Sequence, residues 1–497
     1  MTADSAIDEP QVVETIGQRA GRGLRWSLLG TFITKMGSFA MGLALAHILA
    51  PADFGVYAIA IAATAVLMHI NDVGLIAATV QWRGKLEDMA PTAASLAMAL
   101  ATLIYGLFWL AAPAFAAAAG NREATGVVRL LALIIVIDGI TAVRSGALMR
   151  NFQQGRLVTA NAVGLVANAA VAIGLALHGT GPASFAWGAV TGAAVTGVMV
   201  FKFGEVPFRY GLDRAIARRL LSFGIPLAAS LGVEAFVTNV QFTIIGHLTG
   251  PVLVGFYLLA FNVSSWAQNT LGQAIRYVSV AGFSRLSEDN DAALSDGVQR
   301  SLPLLVIVVA PIIALTSALA RPLIGFLYGD RWEPAAPVLT ILVALTLVRM
   351  VTGLCVDALM GAGATRATLW LNLGWAAVLF PSLWVATQHD GIRGAAIAQV
   401  GVGFVVAIPL AAIALHRSNV KLGPVATALI RPILAAVLAG VATAAVVRYV
   451  GSIEFFQLAI GGIVGVAVYV PAAIPRAQLL EWIQLIRRRR QPAAALD

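Results

Sequence analysis

The chain has 497 residues, of which 59% are hydrophobic and only 11% are charged. Soluble domains carry about a quarter charged residues, so this composition excludes a soluble globular protein and indicates a polytopic helical membrane protein. The formal net charge of +9 does not indicate nucleic-acid binding, because the arginines lie in short loops and a basic tail, where they bias membrane topology.

Apolar stretches follow one another along the chain, and each is about long enough for a helix that spans the bilayer. Residues 1–10 are acidic and polar, so we expect no cleavable signal peptide. The predicted spans are 26–48, 55–80, 91–118, 126–148, 157–178, 182–203, 221–248, 252–281, 302–327, 335–360, 367–388, 391–415, 425–447 and 455–474. Twelve spans is the alternative if one Ala/Gly-rich hairpin is misassigned, and the two termini then still lie on one side.

A basic connector, residues 209–219, divides the first twelve spans into two groups of six. We therefore predict an all-α membrane protein with about fourteen transmembrane helices, built from two six-helix lobes and two further helices. The longest polar loop, Ser284–Arg300, is predicted to be a solvated cytoplasmic linker. The predicted segments are a cytoplasmic N-terminal segment (1–24), an N-lobe (25–203), a basic cytoplasmic linker (204–220), a C-lobe (221–416), two additional helices (417–475) and a basic cytoplasmic tail (476–497).

The distribution of basic residues predicts the orientation. When the loops alternate between the two sides, about three quarters of the 33 lysines and arginines fall on the side that holds both termini. The positive-inside rule assigns that side to the cytoplasm. We expect both termini in the cytoplasm and the tail Arg487–Arg490 near anionic lipid headgroups.

The chain also repeats itself at a separation of two hundred residues. The five matching pairs are His47/His247, Pro51/Pro251, Gly55/Gly255, Tyr57/Tyr257 and Ala60/Ala260. Because six spans separate the copies, both halves enter the membrane from the same side. This pattern predicts a parallel repeat about an axis along the membrane normal, with a substrate site between the two lobes.

The segment Leu-Ala-Pro-Ala-Asp-Phe-Gly-Val-Tyr, Leu49–Tyr57, and the following Gly74–Gln81, Gly-Leu-Ile-Ala-Ala-Thr-Val-Gln, carry a family resemblance. They resemble the first hairpin and the next signature of Wzx-type polysaccharide flippases, which belong to the MOP (multidrug/oligosaccharidyl-lipid/polysaccharide) flippase superfamily. The resemblance implies a two-lobed MATE-like fold, alternating access, and a lipid-linked oligosaccharide as substrate. We expect Asp53, in the same segment, to cap the second helix.

Polar and charged residues within apolar spans are the candidate site residues, because an ionisable group in the membrane costs about 2.5–3.5 kcal/mol and needs a reason. They form stripes at three- and four-residue spacing in the first, seventh and eighth spans, which indicates a shared water-filled cavity. The predicted substrate-binding residues are Lys35, Arg349, Arg276, Asn262, Asn269, Gln273 and Gln241. The cations suit an anionic diphosphate. Interhelical hydrogen bonding is the alternative role of the uncharged residues.

Three acids are candidates for cation coupling: Glu234, Asp72 and Asp138. Either H⁺ or Na⁺ is the expected coupling ion. In the repeat Lys35 corresponds to Ala235, next to Glu234, so we expect Lys35 and Glu234 to face each other across the cavity. Structural pairing with Arg144 is the alternative for Asp138, although six residues is a poor helical spacing for an ion pair.

The sequence contains no pattern of a catalytic site. No Gly-rich phosphate loop with its lysine is present, and the six histidines have no metal-ligand spacing. The single cysteine, Cys355, lies in an apolar run and excludes a disulfide framework. We therefore expect a transporter without a cofactor or a bound metal, and not an enzyme.

The resemblance, together with the polar cavity and its cations, implies an inner-membrane flippase. Its expected substrate is an undecaprenyl-diphosphate-linked oligosaccharide, which it would move to the outer leaflet by cation-coupled alternating access. Expected partners are the lipid-linked oligosaccharide, membrane lipids, a polysaccharide polymerase and glycosyltransferases, but no nucleic acid. Two alternatives remain open. One is a MATE-type multidrug exporter, which would favour an acid-dominated cavity, and the other is a non-transporting scaffold of a polysaccharide synthesis complex.

Overall fold

The computed structural model describes residues 16–473, except 83, 205, 207, 208, 290, 363, 421, 424 and 452, and every described element is a helix. The helices are α1 (Ile16–Ile48), α2 (Pro51–Gln81), α3 (Leu86–Ala118), α4 (Ala124–Arg150), α5 (Gln154–Leu177), α6 (Ala183–Phe203), α7 (Arg214–Thr249), α8 (Pro251–Asp289), α9 (Asp291–Ala318), α10 (Ala320–Tyr328), α11 (Ala336–Leu342), α12 (Leu345–Gly361), α13 (Thr365–Val402), α14 (Ile408–Arg417), α15 (Val425–Val447) and α16 (Glu454–Ala473). A 3₁₀ turn, Asp330–Ala335, connects α10 to α11, and a π-helical segment, Gly403–Ala407, connects α13 to α14. The all-α fold class is confirmed.

Among the described residues, ten helical segments are long and apolar enough to span a membrane, and a pair bent by 41° raises the number to eleven. One segment of 51 residues, at 367–417, contains the break at Asp390 and Gly391, so it is long enough for two spans. Helices α7 and α8 have 36 and 39 residues but are more polar. These features are consistent with fourteen spans, and the number itself stays a prediction.

The structure contradicts one predicted segment. Ser284–Arg300 is not a solvated linker, because α8 continues to Asp289 and α9 begins at Asp291. Leu294 and Val298 are buried with Phe283 in one apolar cluster. Two apolar residues at a spacing of four share one helical face, so this short apolar stripe favours a helix despite the polar residues around it.

Each lobe has its own helix packing. In the N-lobe α2 packs on α4, α3 on α4, α5 on α6 and α1 on α5. In the C-lobe α8 packs on α12 and α7 on α13, and the additional helix α15 packs on α9. Small residues allow close approach, as in other membrane helix pairs. A Cβ at Gly139 of α4, for example, would lie 2.6 Å from the Cβ of Ala101 in α3.

The lobes meet where the two repeated hairpins touch. The α1–α2 turn (Ile48–Pro51) and the α7–α8 turn (Thr249–Pro251) lie at one end of the molecule, which we call the hairpin end. A Cβ at Gly55 would overlap the carbonyl of Pro251, and a Cβ at Gly255 would overlap the carbonyl of Pro51. The repeated glycines therefore form a close, reciprocal crossing of α2 and α8.

A cationic site at the lobe interface

Arg349 of α12 is the central residue of the candidate site. Its guanidinium carbon lies 4.8 Å from the ring centroid of Phe261, and its NH1 donates a long hydrogen bond of 3.5 Å to Oε1 of Gln268. Both partners belong to α8, seven residues apart, so they share one face of that helix. A guanidinium over an aromatic ring keeps its charge exposed on its edges, where an anion can bind.

The packing of α12 on α8 fixes Arg349 in place. Thr346 donates a hydrogen bond of 2.8 Å to the carbonyl of Ser264, and both residues are buried. Within the described part of the chain, no carboxylate forms an ion pair with Arg349. An arginine inside a membrane protein without an acidic partner needs water or an anionic ligand to balance its charge.

Tyr257 and Gln241 form the wall of this site on the α7 side. The Tyr257 hydroxyl donates a hydrogen bond of 3.2 Å to Oε1 of Gln241, and the amide of Gln241 donates one of 2.8 Å to the carbonyl of Thr238. Gln241 and Tyr257 are buried, so Gln241 connects α7 to α8. Tyr257 lies close enough to Arg349 for the two side chains to interact electrostatically.

Lys35 of α1 lies on the surface of the other lobe that faces α8. Its side chain is exposed, and Phe39, one turn later, has its ring centroid 6.2 Å from that of Trp266 in α8. Residues four apart differ by about 40° around a helix, so Lys35 and Phe39 share a face. The same spacing places the exposed Asn262 on the face of Trp266. Lys35 and Asn262 are thus on the two surfaces that α1 and α8 turn toward each other.

Asp138 lies apart from these residues, inside the N-lobe on α4. It is partly buried, and its backbone carbonyl accepts a hydrogen bond of 3.2 Å from Thr141. One turn earlier, the carbonyl of Ile135 accepts a hydrogen bond of 3.1 Å from the amide of Asn71 in α2. Asn71 is buried and was not predicted as a site residue. Arg144 uses NH1 to bind the carbonyl of Phe201 at 2.9 Å.

Five predicted site residues have side chains outside the described part of the structure. Their backbones lie in α2, α7 and α8, which places them on the helices that line the interface. They are Asp72, Glu234, Asn269, Gln273 and Arg276. The expected pairing of Lys35 with Glu234 therefore stays a prediction.

Sequence reasoning missed the residues that hold Arg349. The predicted stripe on α8 passes through Asn262 and Asn269, whereas Phe261 and Gln268 lie on the neighbouring face, one residue earlier in each case. Their seven-residue spacing is the same, so a search for aromatic and amide residues next to the polar stripe would have found them. Asp53 does accept a hydrogen bond at the start of α2, from the backbone of Ala50 at 2.9 Å.

The chain is similar to proteins of polysaccharide biosynthesis. The family model for "Polysaccharide biosynthesis protein" matches residues 44–337. The chain is 26% identical over 493 residues to the succinoglycan biosynthesis transport protein ExoT of Rhizobium meliloti (strain 1021), with 95% of this chain and 97% of that protein covered. It is 21% identical over 382 residues to the lipopolysaccharide biosynthesis protein WzxC of Escherichia coli (strain K12), with 75% and 76% covered.

Solved structures share the fold at low sequence identity. The lipid II flippase MurJ in an inward closed conformation matches with a TM-score of 0.71 and 13% identity, covering 93% of this chain and 100% of that one. An inward-facing multidrug resistance MATE family transporter of the MOP superfamily matches with a TM-score of 0.62 and 14% identity, covering 79% and 96%. The predicted two-lobed MATE-like architecture is confirmed.

Proposed function

We infer that this chain, which belongs to the polysaccharide biosynthesis protein family and is a membrane transporter of the MOP superfamily rather than an enzyme, flips an undecaprenyl-diphosphate-linked oligosaccharide by alternating access. The named relatives act in succinoglycan and lipopolysaccharide biosynthesis, and the structural neighbour MurJ is a lipid II flippase. A lipid-linked saccharide is therefore the substrate class that we assign to this chain.

The environment of Arg349 supports an anionic substrate. Arg349 lies over Phe261 and near Gln268, with no ion-pairing carboxylate in the described part of the chain. A diphosphate supplies the missing negative charge and accepts the planar donors of a guanidinium. Lys35, on the facing surface of α1, provides a second cation for the same headgroup.

The packing of the helices suggests where the lipid part travels. Helices α2 and α7 pack extensively against each other. The contact between α1 and α8 is much smaller and includes the rings of Phe39 and Trp266. We propose that the headgroup and sugars enter between α1 and α8 while the hydrocarbon tail stays in the bilayer. Exposed apolar side chains of these two helices, Phe32 and Trp266, suit contact with lipid.

The coupling ion is assigned to the three acids that the sequence predicts. Glu234, Asp72 and Asp138 remain our candidates for binding H⁺ or Na⁺. Neutralisation of an acid would weaken its pairing with a cation such as Lys35 and free that cation for substrate or for release. We place the protein in the inner membrane with both termini in the cytoplasm, and we propose a polysaccharide polymerase and glycosyltransferases as functional partners.

The test is flipping of a fluorescent lipid-diphosphate oligosaccharide in proteoliposomes. Native protein should move the lipid between leaflets, and Arg349→Ala should reduce the rate at least tenfold while the protein remains folded. Arg300→Ala is the matched control, because Arg300 is exposed and pairs with Asp296 on α9. Equal rates for native protein and Arg349→Ala would remove the basis of the proposal.

A MATE-type exporter of organic cations is the second candidate, because a MATE transporter shares the fold. Such a protein needs acids in its cavity, whereas the described side chains of this site supply Arg349 and Lys35. Export of an organic cation against a proton gradient, without flipping of the lipid, would favour it. A non-transporting scaffold would do neither.

A further inference from the structure

The C-terminal end of α1 lacks part of its own hydrogen bonding. In a continuing helix the N–H of Ala50 would bind the carbonyl of Ala46, but it donates instead to the carboxylate of Asp53 at 2.9 Å. Ala50 has φ −80° and ψ 156°, an extended conformation that ends the helix. The carbonyl of Ala46 thus lacks its helical donor. The carbonyl of Leu49 lacks one too, because the N–H of Asp53 donates to the carbonyl of Ala50 at 3.0 Å instead. Such carbonyls at a helix C-terminus require partners.

The C-lobe supplies both partners. The indole N–H of Trp332 donates a hydrogen bond of 2.9 Å to the carbonyl of Ala46, and NH1 of Arg331 donates one of 3.1 Å to the carbonyl of Leu49. Both donors belong to the 3₁₀ turn Asp330–Ala335. A cation at a helix C-terminus is also favourable for the helix dipole. The C-lobe therefore caps the first helix of the N-lobe.

The second copy of the hairpin ends differently. At the end of α7 the N–H of Gly250 donates to the carbonyl of Gly246 at 3.0 Å, so this helix caps itself. Gly250 has φ +81°, a backbone conformation that glycine adopts readily and that the corresponding Ala50 disfavours. Leu253 stands where the first hairpin has Asp53, so no carboxylate at that position competes for the N–H. The end of α7 is thus capped by its own backbone, whereas the end of α1 is capped by side chains of the opposite lobe.

The donor that caps α1 is buried between the lobes. Trp332 has no exposed surface. The centroid of its ring lies 4.8 Å from that of Phe54 in the N-lobe and 5.9 Å from that of Phe256 in the C-lobe, and both contacts are edge-on. An exposed ion pair between Arg321 of α10 and Glu333 connects the 3₁₀ turn to α10. Separation of the lobes at the hairpin end would expose Trp332 and leave the carbonyls of Ala46 and Leu49 without their donors.

We propose that Trp332 and Arg331 form an interlobe latch, which holds the hairpin end closed by capping α1 and thereby sets the ratio of closed to open molecules. Among the described residues the latch is asymmetric, because the end of α1 takes two donors from the opposite lobe whereas the end of α7 uses the N–H of its own Gly250. It follows that a glycine in place of Ala50 would let α1 cap itself, as α7 does at Gly250, and would weaken the latch without touching Trp332. The latch deepens the alternating access that we propose as the function.

The test is the distribution of distances between spin labels across the hairpin end. Labels are placed at Thr180→Cys in the N-lobe and His389→Cys in the C-lobe, two exposed positions at this end, in a Cys355→Ala background. We expect Trp332→Phe, which keeps the aromatic ring but removes the donor, to raise the ratio of long to short distances roughly fivefold, the size of one lost hydrogen bond. Ala50→Gly should raise it by a similar factor.

The double variant distinguishes a latch from ordinary packing. If Ala50→Gly already lets α1 satisfy the carbonyl of Ala46, adding Trp332→Phe should change the distance distribution little. Additive effects of the two substitutions, or no effect of Ala50→Gly, would overturn the proposal. Trp187→Phe, at an exposed tryptophan of α6 near the same end, is the control and should leave the distances unchanged.

The label distances do not depend on transport. If the distances change as expected but no lipid is flipped, the latch stands and the proposed substrate is wrong. If lipid is flipped but the variants leave the distances unchanged, the flippase function stands and the latch is wrong.

Discussion

Gly55 and Gly255 face each other across the lobe interface, each against the carbonyl of the proline that begins the other's helix. A Cβ on Gly255 would also lie 3.2 Å from the backbone nitrogen of Gly55. Two residues separated by two hundred positions in sequence thus occupy equivalent places in one crossing. The internal repeat is therefore a structural feature, and the contact requires glycine on both sides because backbone atoms cannot move away as a flexible side chain can.

Gly55→Ala should loosen this crossing. The added methyl group meets the carbonyl of Pro251, so α2 and α8 must separate or shift. We expect the free energy of unfolding to fall by about 1–3 kcal/mol, the range for overpacking in a tight core. Thermal unfolding in detergent measures the effect. Gly42→Ala is the control, since a Cβ there meets nothing within 4 Å, and an equal loss in both variants would contradict the crossing.

Arg349→Lys should retain part of the transport activity that Arg349→Ala loses. Lysine keeps the positive charge but lacks the planar group that lies over Phe261 and binds a diphosphate with several donors. We expect a flipping rate between those of the native protein and Arg349→Ala, about threefold below the native rate. Initial rates in proteoliposomes measure it. Native activity for the lysine variant would show that charge alone matters.

Lys35→Ala should weaken substrate binding more at low than at high ionic strength. Lys35 is exposed on α1, so salt screens its attraction for an anionic headgroup. We expect an increase of about fivefold in KM for the lipid-linked substrate at low salt, with little change in the maximal rate. Lys202→Ala, at an exposed lysine near the end of α6, is the control. A similar change in the control would mean that overall charge, not this site, attracts the lipid.

Tyr257→Phe should cost about 1 kcal/mol of stability, because it removes a buried hydrogen bond and leaves Oε1 of Gln241 without this donor. Tyr57→Phe is the comparison from the other repeat. Tyr57 stacks on Phe185 with ring centroids 4.1 Å apart, and this stacking survives loss of the hydroxyl. Denaturation of both variants side by side measures the difference, and equal destabilisation would contradict the role of the Gln241 bond.

Asn262→Cys should react with a water-soluble thiol reagent. Asn262 is exposed on the face of α8 that turns toward α1, and the native Cys355 is buried. We expect labelling within minutes in membranes and protection by the lipid-linked substrate. Leu259→Cys, at a buried position of the same helix, should remain unlabelled. No labelling of Asn262→Cys would favour the scaffold alternative, in which the polar stripe makes only helix–helix contacts.

Much of the architecture could be predicted from the sequence because each membrane helix is encoded by a continuous run of apolar residues. Apolar length predicts spans, and the repeat of Pro51 and Gly55 at Pro251 and Gly255 predicts two equivalent hairpins. Hydrophobicity does not predict the long polar ends of α8 and α9, so the sequence predicts a linker at Ser284–Arg300 where the structure has helices. There the helix is held by the burial of Leu294 and Val298 outside the apolar span.

The site was predictable only in part. Arg349 and Lys35 follow from the cost of a charge in an apolar helix, which is a property of the sequence. Their partners do not follow, since contacts such as Arg349 with Phe261, or Trp332 with Ala46, join residues far apart in the chain. The cap of α1 depends on one difference between the repeats, which is alanine at 50 and glycine at 250. The effect of this difference on the two helix ends is visible only in the structure.

Binding of an anionic lipid-linked saccharide at the site around Arg349 is tested most directly by comparing two substrates in the same proteoliposomes. Native protein receives a fluorescent lipid-diphosphate oligosaccharide or a fluorescent organic cation, with proton and sodium gradients applied in turn. We predict gradient-dependent flipping of the lipid and no movement of the organic cation. Movement of the organic cation without flipping of the lipid would contradict the flippase function and favour the multidrug exporter.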